Sequence, residues 1–325
     1  MERKAEVTVI IPNYNGKAYI EDCLIFLFRN RSVPFETIVV DDASTDGSDK
    51  KVADRFGRKV RLIRHSENCG FAKAVNTGIR AADTRYVILL NNDTVPEPDF
   101  VEKLLAAIKG KRGVFSVSAG MLSMRKPELI DGMGDNYCAL GWAYAVGKGK
   151  DKERYLRKKP VFSACGGAAI YDRKVLEKLG LFDELHFAYL EDVDIGYRAR
   201  IYGYRNLSCP EAVVYHVGSA SSGSRYNEFK VDLSSRNSIY LIAKNMPPLQ
   251  VIINLPLLLA GYLIKIIFFC NKRLGGVYIR GLIKGFRLAA SPEGREKRVR
   301  FSMKRLHNYA SIQLLLWLNV FRRFA

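Results

Sequence analysis

An apolar, β-prone run, Tyr86-Val87-Ile88-Leu89-Leu90, ends abruptly in Asn91-Asn92-Asp93-Thr94. Buried parallel strands read as continuous apolar runs. Ligands of open α/β sheets bind just beyond the carboxyl ends of the strands. Asp93 therefore stands where a site would be. Asn91, two residues earlier, lies on the same side of an extended chain. Two oxygens at that spacing can hold a hard divalent cation and leave positions open for phosphate oxygens. The same residue types also favour a plain turn.

Five further groups could share that site. The first apolar run ends Ile10-Ile11-Pro12-Asn13-Tyr14-Asn15-Gly16. Tyr14 there could stack on a base, or the whole stretch could be a β-to-α turn. The second ends Val39-Val40-Asp41-Asp42-Ala43-Ser44-Thr45-Asp46. Asp41 and Asp42 can accept hydrogen bonds from a base or ribose hydroxyls, and Thr45 or Asp46 can cap the following helix. In Asn68-Cys69-Gly70-Phe71-Ala72-Lys73-Ala74-Val75-Asn76, small residues at a helix start suit a phosphate. Gly70 could equally be a turn residue and Asn76 a helix-surface amide.

The densest acidic cluster is Phe182-Asp183-Glu184 with Glu191-Asp192-Val193-Asp194. Asp192 and Asp194 cannot share a helix face, so they have different tasks. A carboxylate at a helix start either answers the macrodipole or serves as a general base. His216 closes an apolar run before a Gly/Ser-rich stretch reaching Ser224. A lone histidine of this kind is structural, unless Asp93 binds a metal that imidazole can also ligate.

The elements that must position these groups alternate. Strands are predicted over Val7–Ile11, Thr37–Val40, Val60–Ile63 and Tyr86–Leu90. Helices are predicted over Ala18–Arg29, from Asp46, over Gly70–Ala82 and over Pro98–Lys109. This alternation implies right-handed βαβ units and an α/β fold with a mostly parallel sheet. No GxGxxG follows the first strand, so a dinucleotide fingerprint is missing. Residues 110–170 read as less regular, and Gly147–Pro160 as a solvated basic loop. Helices resume at Arg173–Leu179 and Asp192–Tyr202, with a strand at Ala212–Tyr215.

The chain has 325 residues, 48% hydrophobic, with six scattered cysteines and no CxxC pair. That argues against a zinc or disulfide framework and fits a reducing compartment. The charged Met1–Lys4, followed at once by a strand, predicts no signal peptide. The net charge is +19, and from Lys265 onward fourteen Lys/Arg face only Glu293 and Glu296. Composition changes at Pro247-Pro248, which predicts two parts, 1–246 and 247–325. In the second part Leu249–Cys270 is apolar but interrupted by Asn254, Pro256 and Lys265, and Ile312–Phe321 is short and carries Trp317. Apolar faces bordered by Lys/Arg describe helices lying in an anionic membrane surface rather than a nucleic-acid tail. A single span or a soluble helical domain are the alternatives.

The ordered segments VTVIIPNYNG, VVDDASTDGS, ENCGFAKAVNTG, LLNNDTV, FDE…YLEDVDIGYRA and YHVGSAS resemble glycosyltransferase family 2 over roughly residues 5–245. These are inverting enzymes of the GT-A fold that use nucleotide-diphosphate sugars. Within the family the chain is most similar to bacterial rhamnosyltransferases and their relatives in surface-polysaccharide assembly.

The resemblance implies nucleoside-binding positions at Pro12, Tyr14, Asp41 and Asp42. It implies that Lys73, Ala74 and Asn76 line the nucleotide-sugar. Asn91, Asn92 and Asp93 match the DxD motif that holds Mg2+ or Mn2+ on the diphosphate. Asn91 replaces the first acid, which leaves Asp93 as the charged ligand. Asp192 matches the catalytic base, and His216 a histidine that completes the metal site. Glu191, Gly166 and Gly167 are secondary acceptor-side candidates.

The implied reaction moves a sugar to a lipid-linked or glycan acceptor at the cytoplasmic face of a membrane, with the enzyme peripheral or monotopic there. A processive synthase is an alternative, but its QxxRW motif is missing: Trp142 and Trp317 are not preceded by Arg, and the region reads Ser234-Ser235-Arg236-Asn237. A non-catalytic membrane-surface or nucleic-acid-binding protein would explain the basic tail but not the acidic motifs.

Overall fold

The computed structural model describes residues 4–218 and 226–324. The Gly/Ser-rich stretch from Ser219 to Ser224 lies outside them. The first half alternates as expected: β1 (Val7–Asn13), α1 (Ile20–Leu27), β2 (Phe35–Asp41), α2 (Ser48–Phe56), β3 (Arg61–Arg64), α3 (Phe71–Ala81) and β4 (Tyr86–Leu90). β1 pairs in parallel with β2 and β4, and β2 with β3. Asn13 lies opposite Asp41 in this register. Every motif that follows one of these strands therefore emerges at one edge of the sheet.

The middle of the chain is more regular than its sequence suggests. It contains β5 (Thr94–Pro96), α4 (Phe100–Ile108), β6 (Val114–Ser123), β7 (Ile130–Gly132), β8 (Asp135–Tyr137), β9 (Ala143–Ala145), β10 (Pro160–Val161) and β11 (Ala168–Asp172). Then come α5 (Arg173–Leu179), α6 (Glu191–Ile201) and β12 (Arg205–His216). The sheet order is β10-β12-β6-β11-β4-β1-β2-β3, with β5 on β12 and β7 on β6. β12 runs parallel to β6, and β11 is inserted antiparallel between β4 and β6. The sheet is mostly parallel.

Helices cover both faces, which gives a layered α/β core. On one face Ile20, Leu24, Phe100 and Leu104 pack on Val9, Ile88 and Val117. On the other, Ala72, Val75, Ile79, Leu176 and Ile195 pack on Ile10, Val87 and Ala169. Helix α3 rides so closely on β1 that a Cβ at Gly78 would overlap Cγ2 of Ile10. Ile10 is β-branched and stiff. Gly78→Ala is therefore expected to destabilise the protein by about 1–3 kcal/mol through overpacking. An unchanged thermal midpoint would show that α3 has room to move.

The chain ends in α7 (Glu228–Asn245), α8 (Pro248–Asn271), α9 (Gly275–Ala290), α10 (Pro292–Glu296) and α11 (Leu306–Phe324). The expected boundary at 246/247 is a change of composition, but the core continues across it. Tyr137, Phe162, Tyr197 and Leu241 form one cluster with Leu258, Ile312 and Leu316. Polar ties reinforce the junction: Tyr197 Oη to Gln250 Oε1 at 2.7 Å and Asn319 Nδ2 to the Tyr137 carbonyl at 2.9 Å. The inner faces of α8 and α11 thus complete the hydrophobic core of the α/β layers.

Candidate active site

Asn13, at the end of β1, joins three of the sequence motifs. Its Nδ2 donates to Asp41 Oδ1 at 2.7 Å and Ser48 Oγ at 2.8 Å, and its Oδ1 accepts from Asn92 Nδ2 at 2.8 Å. Gly16 follows because a side chain there would overlap Asn92 and Asn13. Asn13 carries no sequence signal beyond its place at a strand's carboxyl end.

Asp41 Oδ2 accepts from the Ser44 amide at 3.0 Å. Asp42 Oδ1 meets His65 Nδ1 at 2.7 Å and the Cys69 amide at 3.0 Å, while its Oδ2 accepts from the Gly70 amide at 2.8 Å. Both acids are buried, so they stitch the loops that frame the site and keep few lone pairs for a ligand. Tyr14 is 43% exposed beside them, and Pro12 is half-buried.

The residues expected along the nucleotide-sugar separate. Lys73 is exposed. Ala74 faces inward with Ile10 and Ile38 in the core. Asn76 is 1% exposed. Its Nδ2 donates to the Phe182 carbonyl at 2.8 Å and Glu184 Oε1 at 2.9 Å, and its Oδ1 accepts from the Phe182 amide at 3.1 Å. Asn76 is thus neither a ligand-facing group nor a helix-surface amide: its polar atoms are used in pinning the acidic loop to α3.

Residues Asn91–Asp93 form a turn, closed by Thr94 Oγ1 donating to the Asn91 carbonyl at 2.7 Å. Asn91 and Asp93 therefore do not share one side of an extended chain, although their spacing predicts that they would. The Asn91 amide group lies against Gly167 instead, 3.2 Å from where a Cβ would stand. Asp93 pairs with His216, Oδ1 to Nε2 at 3.4 Å. Strand pairing sets His216 opposite Thr94.

Asp131 on β7, which carried no sequence signal, holds His216 Nδ1 at 2.7 Å and is itself held by Lys148 at 2.8 Å. Burial disfavours the imidazolium, but Asp131 and then Asp93 outweigh it and raise His216 to about 9. Asp131 is held well below the usual carboxylate range: burial opposes this, and hydrogen bonds from His216 and Lys148 override it. Oδ1 of Asp93 is buried and has no hydrogen-bond partner among the described residues. Once His216 gives up its Nε2 proton, this carboxylate oxygen and the imidazole nitrogen beside it fit a divalent cation.

Asp192 lies across the Gly166–Gly167 pair. The Asn91 amide donates to the Gly167 carbonyl at 2.8 Å, and the Gly166 amide donates to Asp192 Oδ2 at 3.2 Å. Gly166 is a close fit, since a Cβ would stand 3.3 Å from the Phe71 ring. The other carboxylate oxygen of Asp192 accepts from the Val193 amide at 2.7 Å. Asp135, Cys165 and Asp192 bring ligand atoms within 4.8 Å of one another. Burial raises the Asp192 carboxyl above its ordinary value. Burial first, and then Asp192, raises Asp135 and Glu191 well above theirs. Glu191 is buried, so it faces the interior rather than an acceptor.

Asp194 has a separate task, as the spacing required. It bonds Arg198 and Lys244, and Lys244 also bonds Asp183, all inside the protein. The turn before Asp192 holds Phe187, Tyr189 and Leu190 at φ of 62°, 70° and 69°. Side chains in that region cost about 1–3 kcal/mol each. Asn237 Nδ2 reaches the carbonyls of His186, Ala188 and Tyr189 within 2.9 Å, and Arg236 donates to Leu185 and His186. These two side chains fix the strained turn that aims Asp192.

The model of the family described as glycosyl transferase family 2 matches residues 8–180. The chain is 33% identical over 130 residues to TuaG of Bacillus subtilis, a glycosyltransferase named for teichuronic acid biosynthesis, covering 39% of this chain and 52% of that protein. It therefore spans about half the length of that relative. It is 28% identical over 244 residues to an N-acetylglucosaminyl-diphospho-decaprenol L-rhamnosyltransferase of Mycobacterium tuberculosis, covering 66% of this chain and 77% of that one. Among solved structures, the mannosyltransferase PcManGT of Pyrobaculum calidifontis, in complex with GDP-Man and Mn2+, shares the fold. Its TM-score is 0.54 at 19% identity, over 96% of this chain and 88% of that one.

Proposed function

The chain belongs to glycosyltransferase family 2, and we propose that it is an inverting transferase acting on a nucleotide-diphosphate sugar. The observation that carries this is the Gly166–Gly167 bridge, with the Asn91 turn on one side and the Asp192 carboxylate on the other. A donor's diphosphate would lie by Asp93 and an acceptor hydroxyl by Asp192. Asp192 takes the proton of that hydroxyl as its oxygen attacks the anomeric carbon, on the face opposite the leaving diphosphate. Tyr14 stacks on the base. Asp93 and His216 would hold Mg2+ or Mn2+, which when bound supplies Lewis-acid neutralisation of the leaving group.

The acceptor we propose is a lipid-linked glycan of the cell surface, met at the cytoplasmic face of the membrane. The relative named for a decaprenol-linked acceptor supports this, and by the same token a rhamnosyl donor is the first to test. Screening UDP-, dTDP- and GDP-sugars with Mn2+ or Mg2+ by thermal shift tests the donor class. A ligand that binds only the folded state raises stability by RT ln(1 + [L]/Kd). Stabilisation by one of them, followed by transfer with inverted configuration, is the expected result. No shift with any nucleotide-sugar would overturn the reading.

Membrane attachment rests on the outer face of α8, the one helix among the described residues long and apolar enough to cross a bilayer. Its inner face is tied down along its length: Gln250 to Tyr197, Asn254 to Gln313, and the Gly261 carbonyl to Trp142 Nε1. Ile252, Leu259 and Leu263 project outward, Leu259 with 62% of its surface exposed. A helix held sideways in this manner lies in the membrane surface rather than crossing it. Replacing these three residues by Asp is expected to weaken vesicle flotation about tenfold or more, since burying one such side chain is worth about 1.5–3 kcal/mol. Equal flotation of variant and parent would remove α8 from the contact.

A further inference from the structure

Away from the sheet edge that carries Asp93 and Asp192, α6, α7 and the segment after α10 line an open-sided cavity of about 500 Å³, within the ~300–1,000 Å³ typical of ligand sites. Six cations line it: Arg198, Lys244, Lys297, Arg298, Arg300 and Arg305. The carboxylates on its wall are Asp183 and Glu296. Asp183 and Asp194 neutralise Lys244, and Asp194 also pairs with Arg198. The inner wall is therefore balanced, and the excess positive charge sits on the outer segment.

There the four cations differ. Arg305 stacks over the Tyr202 ring, 3.6 Å from its centroid, and Arg298 donates to the Ala289 carbonyl at 2.9 Å. Lys297 and Arg300 are exposed and have no acceptor among the described residues. The segment is fixed in place, because the Val299 amide donates to the Lys244 carbonyl at 2.9 Å. The same segment carries exposed apolar side chains. Phe301, on the cavity wall, is 47% exposed, Met303 is 69% exposed, and Leu306 opens α11.

We infer that this cavity binds the phosphate head group of an anionic phospholipid, with Lys297 and Arg300 as its principal contacts. The charge calls for an anion. The apolar side chains on the same short segment call for one that arrives attached to an acyl phase, where Phe301 and Met303 can be buried. A soluble anion would leave them in water. The site rests on the membrane reading above, and adds to it a defined head-group contact beyond general attraction to a charged surface.

Flotation of the full-length chain tests it, on vesicles of phosphatidylcholine alone and of phosphatidylcholine mixed with phosphatidylglycerol. The variant is Lys297→Glu with Arg300→Glu, both exposed and unpaired, so folding should be unaffected. The control carries the same charge change away from the cavity, Lys272→Glu with Arg280→Glu. The expected result is binding to the mixed vesicles about tenfold weaker for the cavity variant than for the control, with both unchanged on phosphatidylcholine. Equal loss in the two variants would mean ordinary surface electrostatics and would overturn the site. So would inorganic phosphate stabilising parent and not cavity variant, if the mixed vesicles bound both alike, since the ligand would then be a free anion. No flotation of the parent on either vesicle would sink the membrane reading itself, and the inference with it.

Discussion

Asp192→Asn is expected to lower turnover by about 10²–10⁴, the range for removing a general base, while donor binding survives. The amide keeps the volume at the start of α6 and loses the proton acceptor. The groups facing this carboxylate are known: the Gly166 and Val193 amides hold its two oxygens, and Asp135 and Cys165 stand beside it. Burial raises Asp192, and Asp135 and Glu191 are raised further. A base works deprotonated, so the rate should fall as pH drops through this raised value. The acid limb of the pH profile should lie above the ~3.9 of an ordinary aspartate. Single-turnover assays read the loss, and the thermal shift given by the donor reads binding. A variant keeping more than about one-tenth of parental turnover would show that another group takes the proton.

What the sequence made legible follows from where its side chains point. β1, β2 and β4 are buried on both faces, so they appear as unbroken apolar runs, and their carboxyl ends mark the site edge. β6 is just as buried, yet Ser116, Ser118 and Gly120 break its run. Ser116 Oγ donates to Asn206 Oδ1 at 2.8 Å inside the sheet, and Gly120 makes room for the Pro210 backbone. Of β12 the sequence predicts only the end, Ala212–Tyr215, and Pro210 lies inside the strand, where a proline is ordinarily excluded. Here it falls at a register shift between Cys209 and Val213.

The site shows the same limit. Asp93, His216 and Asp192 stand out in the sequence because each ends or begins an element. Asp131 was not found because it reaches His216 only after β7 folds back on β6. Asn76 reads locally as a sugar-lining or a surface amide because its partner, the Phe182 backbone, is 106 residues away. The Asn237 contacts lie within an otherwise helical run, and nothing local distinguishes them from a surface amide. The basic, apolar tail looked like an appendage because composition reports the outer faces of α8 and α11. Tyr137 and Tyr197, which bury the inner faces, lie far upstream.

Removing the divalent metal, or replacing Asp93 by Asn, is expected to reduce transfer by about 10²–10³. Neutralising a leaving diphosphate is worth several kcal/mol, and each ~1.4 kcal/mol is tenfold in rate. Asp93 carries the charge of the turn, since Asn91 and Asn92 are neutral. Asn92 is tied to Asn13, and the Asn91 amide group lies against Gly167. Asp131 orients His216 through Nδ1 and turns Nε2 toward the orphaned oxygen of Asp93. One carboxylate and one imidazole that must first release its proton make a weak site, so Mn2+ should bind poorly by itself. A nucleoside diphosphate would bring further oxygen ligands, and linkage requires that metal and nucleotide then strengthen each other equally. Isothermal titration of Mn2+ with and without the nucleoside diphosphate reads this coupling without any turnover. Asp93→Asn should abolish the coupling and leave the metal-free affinity for the nucleoside largely unchanged, because Tyr14 and the Asp41–Asp42 loops lie elsewhere on the sheet edge. Asp131→Asn should weaken the coupling less, since it acts through the orientation of His216. Undiminished transfer in excess EDTA, or coupling that persists in Asp93→Asn, would show that the leaving group is neutralised by other means.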